Sequence, residues 1–509
     1  MEEKYIAAID LGTSKIALTV AKAMGDDIQI IYYKETPSDG IRNSYVFNPM
    51  KAAGPLRQAI DQAEQELRIK ILQAVVGLPR YAVRQVTANA RLPRTDSDAG
   101  ITREEVENLK SMAVEQYPID DPKKEIMYGA VAQSFSTDDS FNHVESDIIG
   151  MPSETIEGNF KVFIGAKRQA TNIDSVFNSI NVAVARKYFT PDVVAKAVLY
   201  DEEMDNGVAL IDFGAGATSV TIYSRKVMRH YASIPFGGKV ITTDIKSEAT
   251  VTEHLAENIK LAYGACMPER LQTLGEKSLQ IVDENRVPQQ ILPVKYLSEI
   301  ITSRVREIVN AILYEIQESG YADSLRSGVV LTGGCANLVG CAAFIKELSG
   351  YNVRIGYPRH KFSASGCQGI LETSATACAG MVLAAKNDHI VSCIEEPLAW
   401  TDESAVETGE TVPEEAESYA SYETETQEEA APADTAASET AYEPQPDGTL
   451  FDTSDFIVPK EEKKERKKDK KKDREKKEPS IIWNFISKKA RNIVDSMGDL
   501  YENMSDEQI

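Results

Sequence analysis

The chain opens with two apolar runs flanking a short turn of small residues. Ile6 to Val20 reads IAAIDLGTSKIALTV: an apolar run ending in Asp10, then Gly12-Thr13-Ser14 and Lys15, then a partly alternating run rich in β-branched residues. This pattern predicts strand, tight turn, strand. It returns in altered form at Val208 to Ile222, VALIDFGAGATSVTI, with Asp212 in the acidic position, Gly214-Ala215-Gly216 in the turn, and Thr218 opening the second run. A third stretch, VVLTGGCANLVG from Val329, predicts a buried strand, a Gly333-Gly334 turn with Asn337 close behind, and then a helix. One such hairpin reads equally well as an ordinary strand pair with a solvated acid. Two copies imply two related halves facing each other across their turns.

Between these stretches the period of the pattern changes. A strand is expected near Ile28–Tyr33 and a helix from Met50 to Leu67. ILQAVVGLP, from Ile71, is a continuous apolar run suited to a sheet covered on both faces, ended by Gly77 and Pro79. From Tyr81 to Ala166 a small α+β unit is expected. It comprises strand-like VRQVTANARL, a helix opening at Thr102 with Thr-Arg-Glu-Glu as a capping box, and strand-like IMYGAVAQSF and ETIEGNFKVFIGA. Asn172–Lys187 reads as a helix, and Pro191 as the first residue of another. Thr242 to Tyr321 is mostly helical in pattern. There Glu257 and Lys260 stand three apart on one helix face, as do Arg304 and Glu307 on a long helix from Ile300 to Ile316, the spacing of exposed ion pairs. A helix near Glu372–Ala385 ends the strongly patterned part.

The turns carry the candidate chemistry. Their glycines permit positive φ and close backbone approach, so turn amides can point at an anion. Asp10 and Asp212 fit beside phosphates if they hold Mg²⁺, directly or through water. The helix expected after Gly333-Gly334 would offer its N-terminus to the same anion. This is not the Walker A pattern, which leads from a strand into a helix with a Lys-Ser/Thr pair. Ala215 costs about 1 kcal/mol or more if its position requires positive φ.

With 509 residues, two or more domains are expected. The net charge of −23 argues against nucleic acid as a general partner. Six scattered cysteines with no CxxC spacing suit a reduced compartment and small core positions. No apolar run of about eighteen residues occurs and no basic segment precedes the first strand, so neither a membrane span nor a secretory signal is expected.

Charge is unevenly spread. Residues 387–459 contain no Lys or Arg and abound in Glu, Asp, Ala, Ser and Thr, the composition of a disordered linker. Lys460–Glu478 then mixes many Lys and Arg with fewer acids; it reads as a charged helix, a basic nucleic-acid-like patch, a membrane-proximal polybasic stretch or solvated chain. After Pro479-Ser480, the positions Ile482, Ile486, Ala490, Ile493, Met497, Leu500 and Met504 recur at four-three spacing, with Trp483, Phe485 and Val494 widening the face and Lys488, Lys489 and Arg491 off its centre. This predicts an amphipathic helix about 35 Å long. It is expected to lie in a membrane interface, apolar face down; docking on the body or self-pairing is the alternative. A tether of roughly seventy to ninety residues would give it a reach of about 50 Å.

At the two hairpins and the Gly-Gly turn the sequence resembles the actin, Hsp70 and sugar-kinase superfamily. Gly237-Gly238 with Ile241, Thr242, Asp244 and Ile245, AENIKLAYGAC from Ala256, and the terminal amphipathic helix narrow the resemblance to the bacterial cell-division family FtsA. The resemblance covers roughly residues 4 to 392 and the last thirty or so. Gly150 and Met151 hold the place of a family Gly-Met pair, with Pro152 where Ser is usual, and Asp192 stands where Glu is common.

This resemblance implies an α/β, actin-like ATPase fold of two related halves with a small α+β insert in the first. The first half would comprise 1–83, 167–203 and 357–390, with the insert at 84–166. The second would comprise 204–241 and 322–356, with a helical subdomain at 242–321. A linker at 391–478 and the helix at 479–509 would follow. It implies ATP and Mg²⁺ as cofactors, with nucleotide contacts at Asp10, Gly12, Thr13, Ser14, Lys15, Asp212, Gly214, Gly216, Thr218, Gly237, Gly238, Glu257, Lys260, Gly333, Gly334 and Asn337, and the metal near Asp10 and Asp212. Arg304 and Glu307 would face the C-terminal peptide of FtsZ, and Ile482, Trp483, Phe485, Ile486, Lys488, Lys489, Ile493 and Met497 an anionic membrane surface. The chain is thereby expected to polymerise, to tether FtsZ to the cytoplasmic face of the inner membrane at the septum, and to recruit later division proteins through the insert, with at most weak ATPase activity. A PilM-like pilus scaffold, and a kinase or chaperone ATPase on the same fold, are the competing readings.

Overall fold

The computed structural model describes residues 3–282, 288–359, 361–388 and 390–395. Within them the opening pattern forms a three-stranded antiparallel meander, Glu3–Leu11, Lys15–Met24 and Asp27–Pro37. Two strands extend the sheet beyond Glu3–Leu11, each parallel to its inner neighbour: Gln73–Gly77, with Ile9 opposite Val76, and then Ala183–Tyr188. The second half repeats this plan. Val208–Phe213, Thr218–Ser224 and Val227–Ile234 form its meander, and Val329–Thr332 followed by Val353–Ile355 lie parallel beyond it. Asp10 and Asp212 each sit one residue before the carboxyl end of a central strand. In open α/β sheets, the crevice outside those strand ends is where ligands bind.

Helices Thr190–Val198 and Thr376–Asn387 hold the two sheets together. Their buried Val193, Val194, Cys378 and Met381 share one core with Ile6 and Ala8 of the first sheet and Val208, Leu210 and Val330 of the second. The insert is a sheet of Arg84–Pro93, Thr155–Ala166 and Glu125–Ser136, with helix Arg103–Gln116 packed on it through Val106, Leu109 and Ala113. That helix opens with the expected capping box, Thr102 and Glu105 bonding reciprocally.

The insert is fastened to the second half. Gln133 donates to the Met228 carbonyl at 2.8 Å, and the Tyr231 amide donates to Gln85 Oε1 at 3.1 Å. Phe163 of the insert stacks on Phe189 at 4.4 Å between centroids, and Phe189 meets Tyr231 edge-on at 5.3 Å. Such aromatic pairs add about 0.5–1.5 kcal/mol each beyond the area they bury.

Several elements differ from expectation. The apolar run from Ile71 is not one strand: Lys70–Ile71 pairs with Ile394–Glu395, Leu72 is 47% exposed, and only Gln73–Gly77 enters the main sheet. The reason is a carbonyl, that of Cys393, which accepts from the Leu72 amide. The helix expected to reach Lys187 runs instead from Lys167 to Ser179. Asn181 then turns the chain with φ +56°, and Ala183–Tyr188 becomes an edge strand. Pro191 is the second residue of its helix, after Thr190. The helical subdomain also carries a hairpin, Ser278–Val282 with Pro288–Pro293. The body continues past the expected start of the linker at 391, because Cys393 is buried and its amide donates to Tyr5. The rest of the linker, and the terminal helix with Ile482, Trp483, Phe485, Ile486, Lys488, Lys489, Ile493 and Met497, lie outside the described residues.

His230 provides a pH readout of the joint between insert and second half. Its Nδ1 faces the Gln85 amide at 2.8 Å, and Nε2 is buried without a hydrogen-bond partner. Burial pushes the imidazole down to about 4, with the Lys161 ammonium adding to the effect. Glu315 lies 4.0 Å from Nε2, but burial pushes its own carboxyl up, so it compensates poorly. The unfolded ring takes up a proton below its ordinary value of about 6.5. The neutral ring therefore contributes stability that is complete above that pH and lost as pH falls toward about 4. His230→Gln is expected to flatten the fall in melting temperature across this window, as measured by scanning calorimetry.

Candidate functional site

The two hairpin turns meet face to face. A Cβ on Gly216 would lie 2.4 Å from Thr13 Oγ1, so only glycine lets the turns come this close. None of Gly12, Gly214, Ala215 and Gly216 has a positive φ. The turn glycines thus serve close approach rather than left-handed backbone, and Ala215 carries no such strain. Gly12 is excluded from substitution by its own turn: a Cβ there would lie 2.6 Å from the Lys15 carbonyl. Thr13 Oγ1 accepts from the Ser44 amide at 2.9 Å, and the carbonyls of Thr13 and Ser14 accept from Ser38. Lys15 pairs with Glu35 and donates to Ser374 at 2.8 Å, linking the first turn to the segment beyond Gly334.

The second turn is held by the start of helix Gly238–Glu248. The amides of Gly238 and Lys239 donate to the carbonyls of Gly214 and Ala215 at 3.0 and 2.8 Å, and Thr218 donates to the Phe236 carbonyl. Gly237 must lack a side chain because its Cβ would lie 2.4 Å from the Gly214 carbonyl. Lys260, buried, donates to the Gly238 carbonyl at 3.0 Å, to Thr242 at 2.8 Å and to Glu257 at 2.8 Å. The pair Glu257–Lys260 is therefore not a simple surface ion pair: Lys260 is buried in a polar network, while Glu257 stays partly exposed at its edge. Cys335 closes it from the other side, with Sγ 3.5 Å from the Gly214 carbonyl; burial pushes its thiol up to about 12, so it stays protonated.

Gly333 adopts φ +89°, and its Cβ would lie 2.6 Å from Asp212 Oδ1. This brings the Gly-Gly turn against the second acid. Thr373 donates to the Gly333 carbonyl and to Asn337 Oδ1, each at 3.0 Å. No helix starts directly after the Gly-Gly pair. A 3-10 turn occupies Gly334–Asn337, and the helix begins at Cys341, after Gly340 with φ +76°. The α-helix N-terminus expected directly after the Gly-Gly pair thus lies seven residues later in the chain than Gly334.

Arg304 and Glu307 are not brought to this cleft network. Arg304 forms a two-pronged pair with Asp244, at 2.6 and 2.9 Å, and also donates to Glu307 at 2.7 Å. This joins the long helix Val294–Glu318 to helix Gly238–Glu248.

Sequence reading missed the most central side chain. Arg80 extends from the carboxyl end of strand Gln73–Gly77 and places its guanidinium between the acids. Nη1 donates to Asp212 Oδ2, and Nη2 lies 3.4 and 3.3 Å from the two oxygens of Asp10. All three side chains are largely buried, at 14% exposure for Arg80, 18% for Asp10 and 8% for Asp212. Burial works against the guanidinium charge, but Asp212 and Asp10 more than offset it, and Arg80 remains a cation. Burial pushes Asp212 up, Arg80 pulls it down, and Asp10 adds to the upward push. The Arg80 carbonyl is itself held by the Tyr231 hydroxyl. The available signal was topological: Gln73–Gly77 runs parallel to Glu3–Leu11, so the residues just after Gly77 emerge beside Asp10.

The acids were expected to hold Mg²⁺. They already share one cation, and among the described residues no group of three or more His, Cys, Asp or Glu is placed to hold a metal. With Arg80 in position, the arrangement does not fit an ion held between Asp10 and Asp212. The space beside Asp10 and Arg80, lined also by Ser44, Tyr45 and Gly77, amounts to about 10 Å³, the size of one water.

The repeated meander-plus-parallel-strand halves, meeting at paired hairpin turns, define an actin-like fold. A solved PilM-PilN type IV pilus biogenesis complex shares that fold at TM-score 0.53 and 16% identity, covering 74% of this chain and 98% of that one. Residues 209–380 match the family described as Cell division protein FtsA. The chain is 28% identical over 360 residues to cell division protein FtsA of Neisseria meningitidis, covering 70% of this chain and 85% of that protein. It is 24% identical over 365 residues to FtsA of Escherichia coli, again covering 70% and 85%. Over that shared length the chain is similar to these cell division proteins.

Lys260 tests how the second turn is held. Lys260→Met keeps the stem but removes the ammonium from the Gly238 carbonyl, Thr242 and Glu257, leaving the single Thr242 hydroxyl to serve both the Gly238 carbonyl and Glu257. The loss is expected to be about 1–2 kcal/mol, measured as the shift in urea midpoint at constant slope. A shift near zero would mean that water replaces the ammonium and the network is not structural.

Proposed function

We propose that this chain is an ATP-binding, actin-like cell-division protein that polymerises and tethers FtsZ filaments to the cytoplasmic face of the inner membrane at the septum. The observation supporting it is convergence. Two copies of one acid-and-small-turn hairpin, the Gly237-Gly238 helix start, the Lys260 network and the Gly333 turn all meet at a single cleft between matching sheets. Glycines at such closely packed turns let a nucleotide lie against bare backbone, which supports this reading. The FtsA relatives support the cell-division role.

In this reading nucleotide draws the halves together and favours the polymer. The Arg304–Glu307 face of the helical subdomain takes the C-terminal peptide of FtsZ, the insert takes later division proteins, and the terminal helix takes anionic lipid. Many weak contacts then add along a filament. Both cleft acids are engaged by Arg80, so neither faces the cleft as an unpaired base, which supports nucleotide binding with at most slow hydrolysis. Mg²⁺ would reach the phosphates at these acids only with Arg80 moved aside. Among the described residues no helix is long and apolar enough to cross a membrane; attachment is assigned to the terminal helix.

Co-pelleting with anionic vesicles tests the tether. Full-length protein is expected to pellet and to bring an FtsZ C-terminal peptide with it, while a chain ending before Pro479 stays in solution yet binds ATP with unchanged affinity by calorimetry. Pelleting of the shortened chain would refute attachment through the terminal helix. Absence of ATP binding by either form would refute the nucleotide site.

A further inference from the structure

We propose that Arg80 is this chain's own counter-cation at the nucleotide site, standing where a divalent metal would otherwise bridge Asp10 and Asp212, so that the nucleotide is taken as its metal-free anion. This rests on the nucleotide-binding reading above, but its core statement, that the acid pair takes no divalent ion while Arg80 is present, does not.

Three observations carry it. The guanidinium contacts both acids at once, one from each half, with Nη1 on Asp212 and Nη2 on Asp10. It is placed by the fold rather than reaching in from solvent. Gly77 packs so closely on Thr190 that a Cβ would lie 2.5 Å from its hydroxyl. Thr190 donates to the Leu78 carbonyl at 2.7 Å, and Tyr231 donates to the carbonyl of Arg80 itself. Finally, no third carboxylate, imidazole or thiolate joins the two acids in a metal-holding group among the described residues, so a divalent ion there would depend on the very carboxylates that Arg80 occupies.

The chemistry suits the substitution. Two carboxylates facing each other need a cation between them, and Mg²⁺ supplies it only as a hydrated, octahedral ion. A guanidinium is planar, keeps its charge at every physiological pH and has five N–H donors in a fixed fork. Two directions are spent on Asp212 and Asp10, and the remaining donors suit phosphate oxygens, which guanidinium recognises in the same bidentate manner as carboxylate. The cation that holds the turns together is then also a phosphate ligand. Lysine would supply the charge but not the planar bridge.

The ion is tested without nucleotide, using Mn²⁺ as probe, by calorimetry and by loss of the free-ion electron paramagnetic resonance signal. Wild-type protein is expected to bind no Mn²⁺ at the acid pair, whereas Arg80→Ala gains a site that disappears when Asp10→Asn is added. Mn²⁺ bound by the wild type and lost in Asp10→Asn would overturn the proposal. The phosphate role is tested on wild type alone, so it does not depend on any variant folding. ATP affinity in excess EDTA is expected to stay within about threefold of that in Mg²⁺, and a loss greater than about tenfold on chelation would refute it. If ATP binds under neither condition, the nucleotide reading fails, while the Mn²⁺ measurement still decides what occupies the acid pair.

Discussion

Two buried carboxylates facing each other across a cleft repel unless a cation lies between them, and here that constraint governs how the halves meet. Asp10 belongs to one sheet and Asp212 to the other; Arg80 joins them. At 4 Å, two unit charges interact by about 4 kcal/mol at the effective dielectric typical of protein surroundings. Without that cation, one of the two acids would be driven to take up a proton rather than face the other as an anion. With the guanidinium in place the same charges draw the turns together, close enough for Gly216 to rest on Thr13. Any ligand that parts the turns must supply replacement partners for all three groups.

The remainder of the architecture limits how the halves move. Thr190–Val198 and Thr376–Asn387 form a shared core between the sheets. The insert reaches across to Val227–Ile234, and Phe163, Phe189 and Tyr231 lock insert, crossover and second sheet into one aromatic cluster. Tyr231 does two jobs: its ring belongs to that cluster and its hydroxyl holds the Arg80 backbone. The insert is thus joined to the cleft through Tyr231.

On the second half, Lys260 and the first amides of helix Gly238–Glu248 fix the turn, while Arg304 pins the same helix through Asp244. The helix carries the cleft at one end and the Arg304 contact along its length. A peptide competing for Arg304 would loosen the element that positions Gly214 and Ala215. This stretch lies within residues 209–380, which match the family described as Cell division protein FtsA.

Local order alone determined much of the fold. The two hairpins, the strand ending at Gly333 and the Thr102 capping box are encoded in consecutive residues, where side-chain period, turn composition and cap chemistry act over a few positions. The convergence of the glycine pairs was legible because the hairpin repeats. The tertiary structure decided the rest. The run from Ile71 split at Leu72 because the distant Cys393 supplied a backbone partner, and Ala183–Tyr188 became a strand because a sheet edge was waiting for it. The pair Glu257–Lys260 looks like any surface ion pair until Gly238 and Cys335 are packed over it. Ala215 looks strained only until its backbone is seen to stay at negative φ. Arg80 could not be read at all, because its partner Asp212 lies 132 residues away and nothing in Leu78-Pro79-Arg80 marks a ligand. Patterns fix what neighbours along the chain can enforce; which charges meet across a cleft depends on how two sheets are brought face to face.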